Sequence, residues 1–124
     1  MKAIFSRDAP QPIGPYSQAV ESGGFVFCSG QVAIVPGSGK LLDGDARAQT
    51  EQILRNLGEV LRSAGLSHAD VVKTTIFLVS MEDFPAVNAA YVNAFGETKP
   101  ARSTVAVAGL PLGARVEIDA IARR

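Results

Sequence analysis

Apolar positions along this chain follow two periods. Between about 46 and 64, Ile53, Leu54, Leu57, Val60, Leu61 and Ala64 recur at the i, i+4, i+7, i+8 spacing that gathers side chains on one face of a helix. Asp45 or Asp43 is suited to cap its start, and Gly65 to close it in the left-handed conformation. A second helix is predicted over about 83–95. Pro85 falls in its first turn, and Phe84, Val87, Tyr91, Ala94 and Phe95 form its buried face.

Elsewhere the period is two. QAVES and FVFCSG read as short strands around Gly23-Gly24, a hairpin signal, with Phe25, Phe27 and Ser29 facing one way and Val26 and Cys28 the other. VVKTTIFLV (71–79) is β-branched and nearly continuously apolar, as a central covered strand requires. Strands at 102–108 and 115–122 finish the chain. DAPQPIGPYS (8–17) reads as an irregular lead-in and VPGSGKLLDGD (35–45) as a loop. The order β-β-β-α-β-α-β-β predicts one α+β domain over 1–124, with both helices on one face of a mixed sheet. Two helices leave the other face bare, so a second copy of the chain is expected to cover it.

The pattern also isolates two charged residues on strands. Ser103, Val105 and Val107 share one face of 102–108, and Arg102, Thr104, Ala106 and Ala108 the other. In 115–122, Val116, Ile118 and Ala120 oppose Glu117, Asp119 and Ile121. If the two strands form an antiparallel hairpin around GLPLG, Arg102 and Glu117 become near neighbours with a small space between them. A cationic fork and a carboxylate flanking such a space suit a carboxylate-bearing molecule and a polarised water. A structural salt bridge, or simple exposure at wet strand ends, is the plainer alternative.

Composition narrows the function classes. The 124 residues carry 12 basic and 12 acidic side chains, so net charge gives no pull toward nucleic acid or anionic lipid. No segment approaches the roughly 20 apolar residues of a membrane helix, and MKAIFSRDAPQP does not have the pattern of a signal peptide. A cytoplasmic protein is expected, with no membrane partner. A single cysteine, Cys28, rules out an intrachain disulfide and reads as a small buried hydrophobe. The lone histidine, His68, excludes a His-rich metal site and reads as a solvated surface residue. PGSGK lacks the spacing of a phosphate-cradling loop, and no cofactor motif is present.

IGPYSQA (13–19), SGQV (29–32), DVVKTTIFL (70–78), VNAAY (87–91), KPARSTV (99–105) and VEIDAIA (116–122) together resemble the reactive intermediate deaminase family, RidA type, also called the YjgF family. The resemblance runs in order over nearly the whole chain. It implies a chorismate mutase-like fold assembled as a homotrimeric barrel, with three active sites in the clefts between subunits. It implies hydrolysis of 2-imino acids and their enamine tautomers, such as 2-aminoacrylate, to 2-keto acids and ammonia without a cofactor. By the same resemblance Arg102 holds the substrate carboxylate and Glu117 orients or activates the attacking water. Tyr16 and Ser29 line the cleft, Gly30 lets backbone approach the ligand, and Asn88 supports the cleft. Taken singly, Tyr16 also reads as a loop anchor, Ser29 as a strand-end hydroxyl and Asn88 as a helix-surface amide. Thr104 stands where many relatives carry cysteine, which removes thiol chemistry there and leaves a backbone group for ligand binding. The alternatives are a trimer that binds small carboxylates or metabolites without turnover, and a chaperone-like protein. RNA cleavage, proposed for relatives, is disfavoured by the neutral charge, the absence of a basic run and the lack of a histidine pair.

Overall fold

A computed structural model describes residues 1–124. Helix α1 (Ala46–Ser63) forms on the predicted stripe, and Ile53, Leu57, Val60 and Leu61 are sealed from solvent. Asp45, not Asp43, is its cap, accepting the Ala48 N–H at 2.9 Å. Gly65 closes it at φ +75°, while the Gly65 and Leu66 N–H groups return to the Arg62 and Leu61 carbonyls. Helix α2 (Phe84–Phe95) starts with Pro85 in its first turn and buries Val87, Ala90, Tyr91 and Phe95.

Both helices pack against a six-stranded sheet. Its strands are β1 (Lys2–Ile4), β2 (Ala19–Ser22), β3 (Phe25–Gln31), β6 (Val71–Leu78), β7 (Ala101–Ala106) and β8 (Val116–Arg123), in the order β1-β2-β3-β8-β6-β7. All neighbours are antiparallel except β6 and β7, for which α2 is the crossover that a parallel pair requires. Val116, Ile118, Ala120 and Ala122 of β8 lie opposite Leu78, Ile76, Thr74 and Val71 of β6, and this row meets the helices to make the core.

Three expectations need correction. The segment 35–45 is not all loop, because β4 (Ile34–Val35) and β5 (Lys40–Leu41) form a small hairpin. Its turn uses Gly37 and Gly39 at positive φ, and the Ser38 hydroxyl ties the Val35 carbonyl to the Lys40 N–H. The N-terminus supplies β1, whose three residues are too few to show a period. Third, β7 and β8 do not form a hairpin. The α2 crossover lays β7 on the free edge of β6, and a short 3-10 turn at Pro111–Gly113, with Leu112 at φ +59°, carries the chain over to β8 on the other side of β6. Strand β7 also ends at Ala106 rather than 108.

The sheet face away from the helices carries Phe25, Phe27, Val72 and Val105 exposed to solvent, and nothing within one chain covers it. No helix is long and apolar enough to cross a membrane.

Buried Asn56 joins the α1 core to the β4–β5 hairpin. Its Nδ2 donates to the Ile34 carbonyl at 2.7 Å, and its Oδ1 accepts from Gln52 Nε2 at 2.9 Å. Replacing it strands buried polar groups on both sides. Asn56→Ala is expected to destabilise by about 1–3 kcal/mol, against about 1 kcal/mol for removing the cap in Asp45→Ala. Denaturant midpoints of the two variants check the ranking.

Candidate functional site

A one-residue bulge in β3 places the first half of the site. Cys28 pairs with Ala120 and Gln31 with Ile118, so three steps on β3 match two on β8. The distortion brings Gly30 against the side chain of Glu117. A Cβ built on Gly30 would lie 2.7 Å from Glu117 Oε2 and 2.8 Å from its Cδ, so glycine is required for the carboxyl to sit where it does. Tyr16, Gly30 and Glu117 line one cleft of about 140 Å³, walled by Pro10, Gln11 and Ile13 of the lead-in, by Gln31, Val32 and Ile34, and by Pro111. The Tyr16 hydroxyl accepts the Ile13 N–H at 3.4 Å, which folds the lead-in over this mouth. Glu117 is half-buried, and its pKa is raised above the usual carboxylate range, by desolvation first and then by the neighbouring Asp119 charge. A carboxyl so placed accepts and returns protons closer to neutral pH than an exposed one.

The second half lies around Arg102. Its Nη1 donates to Asn88 Oδ1 at 2.8 Å, and its guanidinium carbon stands 4.9 Å over the Tyr91 ring and 5.5 Å over that of Phe84. Phe84, Asn88 and Tyr91 follow the i, i+4, i+7 spacing of one helix face, which turns toward β7. Thr104 shares the face of Arg102, and its hydroxyl is buried without a hydrogen-bond partner.

These halves do not meet within one chain. Arg102 registers with Thr74 and Glu117 with Phe77, on opposite sides of β6. That separates them by two strand spacings (about 10 Å) and three residues along the strand (about another 10 Å). They also project from opposite faces, Arg102 toward α2 and Glu117 away from the helices. The near-neighbour geometry expected from a hairpin therefore fails, and with it the plain salt bridge between them.

Ser29 lies beside the cleft but serves β3, donating its hydroxyl to the Ser17 carbonyl at 2.6 Å. His68 is not simply solvated. Its Nε2 sits 2.9 Å from the Leu54 carbonyl, and its ring meets Phe95 edge-on, so it wedges α1 against α2. Cys28 is buried as expected, and desolvation pushes its thiol pKa up to about 12. No cluster of His, Cys, Asp or Glu forms that would hold a metal ion. Sequence reasoning misses the lead-in wall and the ring pair under Arg102. DAPQPIGPYS with its three prolines is the available signal for the first, and the 84-88-91 spacing for the second.

Gly30→Ala tests the close approach. The atoms in the way all belong to the flexible Glu117 side chain and none to backbone, so the variant is expected to fold with a midpoint near that of the parent. The displaced Glu117 carboxyl should titrate closer to the ordinary carboxylate range, as carbon-detected NMR of that side chain would show.

Comparisons with known proteins agree with this architecture. The family model described as Endoribonuclease L-PSP matches residues 6–124. The 2-iminobutanoate/2-iminopropanoate deaminase of Mus musculus is 48% identical over 98% of this chain and 90% of its own length. The RutC family protein PH0854 of Pyrococcus horikoshii is 47% identical over 98% and 96%. RidA from the Antarctic bacterium Psychrobacter sp. PAMC 21119 superposes with a TM-score of 0.96 at 39% identity, covering 100% of both chains. E. coli TdcF with bound serine superposes with a TM-score of 0.94 at 39% identity, covering 100% of this chain and 99% of that one. With such matches over its full length, and with its mixed sheet and paired helices, the chain belongs to the Endoribonuclease L-PSP family, the YjgF/RidA family of the reactive intermediate deaminases.

Proposed function

We propose that this protein is an imine/enamine deaminase. It hydrolyses 2-imino acids such as 2-iminobutanoate and 2-iminopropanoate, and enamine tautomers such as 2-aminoacrylate, to 2-keto acids and ammonia. The observation that carries the reading is Glu117, a half-buried carboxyl of raised pKa held against glycine in a small cleft. Relatives named as deaminases at 43–48% identity support the substrate class.

The substrate carboxylate docks on the guanidinium N–H groups of Arg102 that Asn88 does not engage. An iminium carbon is already strongly electrophilic, so no covalent nucleophile is needed. A water oxygen forms the C–O bond as the C=N electron pair moves to nitrogen, and the Glu117 carboxylate takes the water proton. Glu117 then returns that proton to nitrogen. The C–N bond breaks, the Glu117 carboxylate takes the hydroxyl proton as the C=O bond forms, and that proton passes to the departing ammonia, so iminium plus water gives keto acid plus ammonium. An enamine enters the same course after protonation at its β carbon. No cofactor takes part.

Because Arg102 and Glu117 face away from each other in one chain, the reading requires two copies, the β7 edge of one beside the Glu117 cleft of the next. A homotrimer closing over the bare sheet face, with its exposed Phe25, Phe27, Val72 and Val105, would provide this and bury that patch. Thr104 would meet the ligand beside Arg102, and Tyr16, Ser29 and Gly30 from the neighbouring copy. A cytoplasmic setting fits this role.

One neighbour favours a second reading, a binder of small amino or keto acids without turnover, since TdcF was solved with bound serine. RNA cleavage, which the family description names, finds less support. His68, the single histidine, is tied to the Leu54 carbonyl and packed on Phe95, where it braces the two helices and has no second histidine to work with.

A coupled assay that generates imino acid in situ and follows keto-acid release separates these readings. Wild type is expected to exceed the spontaneous rate, and Arg102→Ala to fold yet fall to background. Mixing Arg102→Ala with Glu117→Gln chains under subunit exchange should restore about a quarter of the wild-type sites, since half of all copies keep each residue. No recovery would place the site within one chain.

The raised pKa of Glu117 sets the pH dependence. Its carboxylate form is the base, so turnover should fall as pH drops through a value above the ordinary carboxylate range. The folded state holds the proton more tightly than the unfolded one, so ionisation of Glu117 weakens folding as pH rises through that pKa. Glu117→Gln should therefore lose turnover but melt higher than wild type at neutral pH, and the gain should vanish in acid. Melting curves across pH check the sign.

A further inference from the structure

An arginine on an exposed edge strand has many rotamers, and a carboxylate anchor is useful only when its fork points one way. Asn88 alone does not ensure this. Its single hydrogen bond to Nη1 leaves the guanidinium plane free to swing about that contact. The plane is set by what lies beneath it. The Tyr91 ring is the nearer of two aromatic faces, at 4.9 Å, and Tyr91 is itself held from below. Its hydroxyl is 2.7 Å from Thr74 Oγ1, both groups buried, and its ring lies 4.5 Å from that of Phe95. Thr74 is also the residue that pairs with Arg102 across the β6–β7 ladder. A closed circuit results, in which the backbone of Arg102 fixes Thr74, Thr74 fixes the Tyr91 ring, and the ring bears the guanidinium of Arg102.

We infer that Tyr91 is a positioning residue for Arg102, and that the Thr74–Tyr91 hydrogen bond sets the platform on which the guanidinium is aimed at a ligand carboxylate. A phenylalanine would fill the same core volume, so packing alone does not account for the hydroxyl. Thr74 has no other side-chain partner, and a valine of similar shape would serve the strand as well. The pair is explained by what rests on it. The inference rests on the deaminase reading for its consequence in turnover, and on carboxylate binding alone for its substance.

The test uses the full chain and two readouts, imino-acid turnover and calorimetric affinity for 2-oxobutanoate, a non-reacting keto acid. Tyr91→Phe keeps the ring and loses the tether, and Thr74→Val removes the tether from the other side. Each is expected to raise KM and weaken 2-oxobutanoate binding about three- to tenfold with kcat nearly unchanged, the signature of lost binding shared by ground and transition states. Tyr91→Leu should weaken binding further, and Tyr91→Phe should recover part of that loss. In an Arg102→Ala background none of these changes should alter the remaining affinity. The inference is overturned if Tyr91→Phe and Thr74→Val bind 2-oxobutanoate as wild type does, if their effects persist without Arg102, or if wild type does not bind it. Should wild type bind but not turn over, the deaminase reading fails while the affinity ratios still decide the role of Tyr91.

Discussion

Burial of alternate side chains along β8 constrains this protein more than any other single requirement. Val116, Ile118, Ala120 and Ala122 are sealed beneath the helices, with β3 on one side of the strand and β6 on the other. A shift of one residue would exchange this row for Glu117, Asp119, Ile121 and Arg123, which would put charge into the core. The register is therefore not negotiable, and it puts Glu117 on the face away from the helices. The bulge at Ser29-Gly30 follows, since only a local departure from the ladder lets the β3 backbone close over that carboxyl.

The same constraint explains why Arg102 and Glu117 stand apart within one chain. With β8 taking the inner side of β6, β7 is left at the margin, where its Arg102 can reach α2 but not Glu117. Each half is prepared separately, the cation by an aromatic and amide cradle, the carboxyl by desolvation against glycine. Preparation of this kind fixes direction and protonation before any ligand arrives. Thr104 adds beside Arg102 a buried hydroxyl that lacks a partner, a group whose hydrogen-bonding capacity is still unspent.

Much of this was legible in the sequence. The stripe Ile53–Leu57–Leu61 and the alternation of VEIDAIA dictate helix and strand through periods that local sequence carries. What could not be read was adjacency. Whether the strand holding Arg102 lies beside β8 or β6 depends on the crossover through α2, and GLPLG looks the same in either topology. For the same reason Tyr16, Gly30 and Glu117 are recognisable by motif, whereas their shared cleft depends on which strand lies beside the bulge at Gly30. His68 reads as solvated from its place in LSHAD between helix and strand, while its neighbours in space are the Leu54 carbonyl and the Phe95 ring.

The sealed position of Cys28 bears on the durability of such a protein. With its pKa near 12 the sulfur carries almost no thiolate at neutral pH, and it lies beneath the sheet out of reach. Threonine at 104 leaves no second thiol. On the proposed activity, the protein therefore presents its electrophilic imine substrates with no accessible thiol, and neither Arg102 nor Glu117 is open to disulfide exchange. Under that reading, turnover does not depend on the thiol redox state of the surroundings.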